Sequence, residues 1–296
     1  MSTIYRERLP FHPLLGRNIH FDSRSLAYAL QSRRTVVTGV RHKSFIGILD
    51  QGQLGSCTGN AGVSCLYHEP ILASADLPAW NRYTENEAGA VALYSDATSK
   101  DPYAGSYPPD DTGSDGLTVC QILKAAGDIS GYQAALDLES SLEALMVGPG
   151  VTGIPWYNSM FDPGPGGLLS VSANSGLAGG HELCVDQVIL PGDPGNGTGE
   201  LLVAGPNSWG TSWGDAGRYA IRSGDWWRLR QDQGDFYSMI PMAQPAPIPT
   251  PTPADDPAGD ALWSSVRHWA TKENHVGDNR RAATAVKTWA KSTGRS

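Results

Sequence analysis

Residues 50–57 read Asp-Gln-Gly-Gln-Leu-Gly-Ser-Cys, and the small residues that follow have apolar positions at helical spacing. We therefore expect Cys57 to lie at or near the N-terminus of a helix, where unpaired backbone N–H groups and the helix dipole stabilise a thiolate. Gln51 lies six residues upstream (57 minus 51), across a glycine-containing turn that can fold its side-chain amide back. The stretch predicts a thiol nucleophile whose developing oxyanion is bound by Gln51 and the backbone N–H of Cys57.

Two later stretches supply the partners that a thiol nucleophile requires. Gly-Gly-His-Glu at 179–182 places His181 after two glycines at the start of an apolar strand, which would present its ring in a cleft as a base. Pro-Asn-Ser-Trp-Gly at 206–210 offers Asn207, whose amide oxygen can accept from the imidazole and fix its tautomer. Trp209 is expected to cover that bond, or simply to pack in the core. His68, eleven residues beyond Cys57 (68 minus 57), is about three helical turns away and is interpreted as structural.

Composition and charge exclude several other classes of protein. The formal net charge is −8 and the basic residues form no stripe, which argues against a nucleic-acid partner. No stretch approaches the roughly 20 apolar residues of a membrane span, and the first residues lack a secretory core. Four cysteines are few for a disulfide framework, so we expect a cytoplasmic protein with Cys65, Cys120 and Cys184 buried as small apolar residues. No metal or other cofactor is expected.

The order of the patterns predicts an α+β fold of two layers, in which helices come first and strands follow. A cleft between the layers would carry Cys57 on the helical wall and His181 on the β-rich wall. Besides the helix that starts near Cys57, helices are predicted at 87–97, 117–126 and 139–147. Strands are predicted at 150–157, 182–190, 201–205 and 217–221.

The chain is expected to have four parts. Residues 1–36 form an N-terminal extension that wraps the domain, or alternatively a pro-segment, and residues 37–243 form the main domain. Residues 244–259 form a proline-rich linker, extended by composition. Residues 260–296 hold two short helices that are too small to bury much core alone. This C-terminal segment is therefore expected either to pack as a minimal helical hairpin or to dock onto another protein.

The motifs at Gln51–Cys57, Gly180-His181 and Asn207–Gly214 resemble those of the papain-like (C1) cysteine peptidases over roughly residues 45–240. The separations agree as well: His181 follows Cys57 by 124 residues (181 minus 57) and Asn207 follows it by 150 (207 minus 57). The resemblance implies a papain-like two-layer fold and a cysteine endopeptidase that acts on polypeptides. Its helical subdomain would carry the nucleophile, and its β-rich subdomain the histidine and asparagine.

The same resemblance implies a role for each residue of the set. Cys57 would be the nucleophile, His181 the general base and acid, Asn207 the residue that orients the imidazole, and Gln51 the oxyanion donor. The segment Asp111-Thr112-Gly113-Ser114 looks like the one that hydrogen-bonds an extended substrate. The residues expected to bind substrate are Gly113, Ser114, Gly180 and Trp209.

Three residues depart from the family pattern. Leu54 stands where a disulfide-forming cysteine is usual, Thr58 where an aromatic residue follows the nucleophile, and Glu182 where a small residue follows the histidine. These changes fit the cytosolic bacterial or phage branch of the family, where a phage-encoded protein could be associated with the virion. Two alternatives stay open: a cell-wall peptide hydrolase, and a catalytically silent papain-fold binding or structural protein, for example of a phage.

Overall fold

A computed structural model of the 296-residue chain describes residues 12, 14–19, 22–32, 35–72 and 82–242. The predicted linker at 244–259 and the predicted helical segment at 260–296 lie outside the described residues. No helix in the described part of the chain is long and apolar enough to cross a membrane.

The helices begin and end where local side chains satisfy the free backbone groups of their ends. Asn86, Asp115 and Asp137 each accept a hydrogen bond from an N–H of the first turn of the helix that follows. Gly127 ends one helix in the left-handed conformation, at φ 82°. The α-helices of the described residues are α1 (Cys57–Leu66), α2 (Glu87–Thr98), α3 (Gly116–Ala126), α4 (Leu138–Val147) and α5 (Ser223–Gln231). Short 3-10 helices lie at Ser23–Tyr28, Asn158–Met160, Pro165–Gly167 and Ala173–Ser175.

The strands of the described residues form two antiparallel sheets of four strands each. They are β1 (Val40–Arg41), β2 (Gly131–Ala134), β3 (Gly150–Tyr157), β4 (Leu177–Val185), β5 (Gln187–Ile189), β6 (Leu202–Pro206), β7 (Arg218–Arg222) and β8 (Asp235–Ile240). One sheet has the order β2-β8-β3-β4, and the other has the order β1-β5-β6-β7. The chain passes from the first sheet to the second between β4 and β5.

Every one of the ten residues of helix α1 is buried. The helix packs against α2, α3 and β4, and the main hydrophobic cluster joins these helices to strands β3 and β8. All four cysteines are buried and free, as expected for Cys65, Cys120 and Cys184. The α+β architecture predicted from the sequence is confirmed, with the helical layer carrying Cys57 and the strands carrying His181.

Several elements differ from the sequence-based predictions. The strand predicted at 182–190 is two strands in different sheets, β4 and β5, because the buried Asp186 between them turns its carboxylate toward Arg218 and His68. Strands β2 and β8 and helix α5 were not predicted. Strand β2 has only four residues, while β8 begins with a buried acidic residue and α5 carries two adjacent tryptophans among charged residues. Tertiary packing overrides such weak local patterns.

Candidate active site

His181 and Asn207 lie side by side although 26 residues separate them in the chain. His181 is in β4, and Asn207 directly follows β6. The Nε2–H of His181 donates to the Oδ1 of Asn207 at 2.8 Å, and the same oxygen accepts the backbone N–H of Ser208. The Nδ1 of His181 is buried and has no hydrogen-bond partner among the described residues. The bond to Asn207 thus fixes the orientation of the ring through Nε2 and leaves Nδ1 as the nitrogen that can exchange a proton.

Two tryptophan rings enclose the imidazole. The ring of Trp209 stacks on His181 with centroids 4.7 Å apart, and the ring of Trp156 meets it edge-on at 4.9 Å. Trp209, which we expected to cover the bond to Asn207 or to pack in the core, stacks on the ring of His181, whereas Trp156 was not singled out. Burial lowers the pKa of His181 to about 4, and the hydrogen bond to Asn207 opposes this only in part.

Cys57 begins helix α1 and is completely buried. The backbone N–H groups of Glu182 and Gly16 hydrogen-bond to its sulfur and favour the thiolate, but burial outweighs them and raises the pKa of Cys57 to about 12. Since the pKa of His181 is near 4, both groups are neutral over a wide range around pH 7. In this arrangement, the burial of the sulfur outweighs the stabilisation of a thiolate that is expected at a helix N-terminus.

Gln51 lies in the loop before Cys57 and is held at both ends of its amide. Its Nε2 donates to the carbonyl of Leu54 at 2.7 Å, and its Oε1 accepts from the Oγ of Ser208 at 2.6 Å. A side-chain amide has two N–H groups, so one remains available to a ligand. The bond to Ser208 also ties this loop to the residue that follows Asn207.

Polar side chains that the sequence reasoning missed brace the loop. Glu87, at the start of α2, accepts from the backbone N–H of Asp50 and from the side chain of Asn60. Asn60 in turn accepts from the hydroxyl of Ser56, the residue before the nucleophile. These contacts fix the loop between Asp50 and Cys57. No local pattern in the sequence predicts them.

A second brace involves Asp111, part of the segment expected to hydrogen-bond substrate. Its carboxylate accepts from the backbone N–H of Gly55 at 2.8 Å and from the hydroxyl of Tyr94. The same hydroxyl accepts the backbone N–H of Gly113 at 2.8 Å. The N–H of Gly113 is therefore already used within the domain, whereas the neighbouring Ser114 faces the cleft.

Residues 14–18 of the same chain run through this cleft. The backbone N–H of Ser114 donates to the carbonyl of Gly16, and the carbonyl of Ser114 accepts from Asn18, each at 2.9 Å. The N–H of Arg17 donates to the carbonyl of Gly180 at 3.0 Å. The indole of Trp209 donates to the carbonyl of Leu14 at 3.2 Å. We refer to residues 14–18 as the covering segment.

The covering segment passes so close to the nucleophile that it needs a glycine there. A Cβ on Gly16 would lie 1.7 Å from the carbonyl oxygen of Gly55, which no side chain can do. Gly16 turns its N–H toward the sulfur of Cys57, while its carbonyl bonds to Ser114. Because attack on a peptide requires the carbonyl carbon beside the thiolate, this geometry covers Cys57 without offering it a bond to cut.

No group of three or more His, Cys, Asp or Glu side chains that could hold a metal ion occurs in the described parts of the chain. His68, which we interpreted as structural, bonds through its two ring nitrogens to the carbonyl of Ser64 and to Asp186.

The fold is shared with known cysteine proteases. Xylellain, a cysteine protease from Xylella fastidiosa, superposes with a TM-score of 0.57 at 15% identity, over 80% of this chain and all (100%) of that one. Digestive procathepsin L 3 of the Tenebrio molitor larval midgut gives 0.50 at 16% identity, over 77% and 76% of the two chains. The ragweed pollen allergen Amb a 11, a cysteine protease in its proform, gives 0.50 at 17%, over 70% and 67%.

The chain has a papain-like fold. No protein-family model and no curated protein matches the sequence. At 15–17% identity, the similarity to these structures is one of fold, and the chemistry has to be argued from the residues of this chain.

Proposed function

We propose that the protein is a cysteine endopeptidase in which Cys57, His181 and Asn207 act together on peptide bonds. The observation that carries the proposal is the 2.8 Å bond from His181 Nε2 to Asn207. It leaves the buried Nδ1 of His181 without a hydrogen-bond partner among the described residues. The backbone N–H of Glu182, the residue after His181, faces the sulfur of Cys57 in the same papain-like cleft. A nucleophile, a base and a group that orients the base are the parts that acyl transfer by a thiol requires.

In the proposed reaction, the thiol proton of Cys57 moves to Nδ1 of His181. The thiolate attacks the carbonyl carbon of a peptide, and the free N–H of Gln51 and the backbone N–H of Cys57 bind the oxyanion. The imidazolium then gives its proton to the leaving amine, so that a thioester remains on Cys57. Water, deprotonated by His181, hydrolyses the thioester and restores the thiol.

The covering segment must leave before this reaction starts, and its departure would favour the reaction in two ways. It frees Ser114 and Gly180 to pair with the backbone of a substrate, as they now pair with Gly16 and Arg17. It also lets water and substrate reach Cys57 and His181. Since burial is the largest cause of both pKa shifts, exposure moves the two values toward each other and toward a thiolate–imidazolium pair.

A chemical probe tests the assignment of the nucleophile. Cys57→Ala should abolish both peptide hydrolysis and covalent labelling by a peptidyl epoxide, while circular dichroism shows the fold unchanged. In the wild-type chain, mass spectrometry should find the label on Cys57 and not on the buried Cys120, which serves as an internal control. Hydrolysis that persists undiminished in Cys57→Ala would overturn the proposal.

A second variant tests the role of the covering segment. Gly16→Val places a side chain against Gly55 and should expel the segment, so that epoxide labelling of Cys57 accelerates by roughly tenfold for each ~1.4 kcal/mol by which the covered arrangement is destabilised. Gly192→Val is the matched control, because a Cβ on Gly192 meets nothing within 4 Å. Equal labelling rates in the two variants would contradict the covering role. If neither labels and neither cuts casein or purified cell walls, the catalytically silent alternative replaces the enzyme.

A further inference from the structure

Arg17 of the covering segment is a charged side chain with no exposed surface. Its Nη2 donates to the Oδ2 of Asp235 at 2.9 Å and to the backbone carbonyl of Gln233 at 3.0 Å. Its Nε lies 3.5 Å from the Oε2 of Glu182. Burial alone disfavours a charged guanidinium, but Asp235 and Glu182 outweigh this and raise the pKa of Arg17. The side chain is therefore an ion held inside the domain.

The register of one sheet builds the pocket around Arg17. Gly153 of β3 pairs with Glu182 of β4 on one side and with Asp235 of β8 on the other. The two carboxylates thus flank a position that has no side chain. A Cβ on Gly153 would lie 1.8 Å from the Nε of Arg17, so the guanidinium occupies the space that the glycine leaves. We call this the Glu182–Asp235 pocket.

The Glu182–Asp235 pocket offers more hydrogen bonds than Arg17 uses. Neither carboxylate oxygen of Glu182 has a hydrogen-bond partner among the described residues, although its side chain is completely buried. Nε and Nη1 of Arg17 likewise have no hydrogen-bond partner within the described part of the chain. A guanidinium has five donors in a planar fork that suits carboxylates, so an arginine seated slightly nearer to Glu182 would pair with both acids.

The pocket adjoins the candidate nucleophile from two directions. Glu182 follows His181 in β4, and its backbone N–H faces the sulfur of Cys57. Arg17 follows Gly16, whose N–H faces the same sulfur. A polypeptide that replaces the covering segment would thus carry one side chain into the Glu182–Asp235 pocket while its backbone lies at Cys57.

We propose that the Glu182–Asp235 pocket accepts an arginine side chain of the substrate once Arg17 has left, and that the enzyme selects polypeptides with arginine at this position. The inference rests on the proposed peptidase function. Two buried acids that lose Arg17 must either bind another cation or give up charge by protonation, because buried charges are retained only when they are paired. An apolar side chain would leave both acids unpaired, and a site with buried polar groups discriminates strongly against such a ligand.

The test uses the full chain with Arg17→Ala, which empties the pocket, and a matched Arg24→Ala, which removes a surface arginine paired with Asp22. Short peptidyl epoxides carry arginine, its uncharged analogue citrulline, leucine or glutamate at each position in turn, and the labelling rate of Cys57 is measured. At one of these positions, the epoxide that carries arginine should label Cys57 of the Arg17→Ala variant roughly 100-fold faster than the epoxide that carries citrulline. Adding Glu182→Gln or Asp235→Asn to Arg17→Ala should bring this ratio close to one.

A binding measurement complements the labelling. N-acetyl-arginine amide should raise the unfolding temperature of Arg17→Ala, since a ligand that binds the folded state stabilises it. N-acetyl-citrulline amide should not raise the unfolding temperature of Arg17→Ala, and N-acetyl-arginine amide should not raise that of Arg24→Ala. Equal labelling of Cys57 by all the epoxides, or a preference for leucine, would overturn the arginine pocket and leave the peptidase intact. Failure of every epoxide to label Cys57 in any variant would overturn the proposed function and the pocket with it.

Discussion

Two buried acid–base clusters lie on the strands of this protein, and they are built differently. Asp186, between β4 and β5, accepts two hydrogen bonds from Arg218 and one from His68. The carboxylate of Glu182, four residues earlier, faces Arg17 at 3.5 Å and has no hydrogen-bond partner among the described residues. The first cluster is saturated with hydrogen bonds and the second is not.

The difference shows in the pKa values. For Asp186, burial acts to raise the pKa, but the hydrogen bonds from His68 and Arg218 outweigh it, so the pKa is lowered. For Glu182, burial and the neighbouring Asp235 raise the pKa well above its usual range, and Arg17 counters them only in part. The comparison teaches that the carboxylate of Asp186 uses its hydrogen-bonding capacity within the domain, whereas the Glu182–Asp235 pocket keeps unused capacity, as the proposed exchange of Arg17 requires.

The largest effect is expected at the saturated cluster. Asp186→Ala leaves the charged groups of Arg218 and His68 inside the domain without their carboxylate, and should lower the free energy of unfolding by about 3–5 kcal/mol. Urea denaturation measures the loss, with the exposed Asp110→Ala as the control, which should stay within about 0.5 kcal/mol of wild type. A loss below about 1 kcal/mol would erase the distinction between the two clusters.

A smaller loss is expected when the exchangeable partner is removed. Arg17→Ala should lower the free energy of unfolding by only about 1–3 kcal/mol. The loss is small because Glu182, whose pKa is raised, takes up a proton and does not stay charged in the emptied pocket. The same variant should increase alkylation of Cys57 by iodoacetamide, since the covering segment opens more often. If Arg17→Ala destabilises the fold as much as Asp186→Ala and leaves alkylation unchanged, Arg17 is a structural ion pair.

The smallest effect, taken per pH unit, concerns the pH dependence of stability and has opposite signs at the two acids. The folded-state pKa of Glu182 is raised, so its favourable contribution is present below about 4.5, the ordinary value, and is lost as pH rises toward the raised pKa. Glu182→Gln removes this loss, and the variant should gain on wild type above that pH by at most about 1.4 kcal/mol per pH unit. Stability curves of both proteins from pH 4 to 8 measure the gain.

Asp186→Asn provides the matched control for that experiment. The pKa of Asp186 is lowered, so its contribution is present above the ordinary value of 3.8 and is lost as pH falls through the lowered pKa. The stability of the asparagine variant should therefore fall relative to wild type as pH rises toward 3.8 and run parallel to it above. Parallel curves for Glu182→Gln and wild type across the whole range would mean that Glu182 keeps its ordinary pKa.

Local patterns in the sequence predicted much of the fold and the candidate catalytic residues. The helices at Glu87–Thr98 and Gly116–Ala126 and the strand at Gly150–Tyr157 lie within a residue of their predicted bounds, because capping residues and periodic apolar positions are local signals. His181 and Asn207 were chosen from short motifs, and the structure brings them to 2.8 Å. The catalytic roles of His181 and Asn207 are part of the proposed function.

What the sequence alone determined is the inventory: a cysteine at a helix N-terminus, a histidine, an asparagine and the order of helices and strands. Only the tertiary structure placed Arg17 against Asp235, 218 residues away, and against Glu182, 165 residues away (182 minus 17). Such pairs have no local signature, because the register of β3, β4 and β8 and the path of the covering segment decide them. The burial of the cleft also raises the pKa of Cys57, although its helix position favours the thiolate.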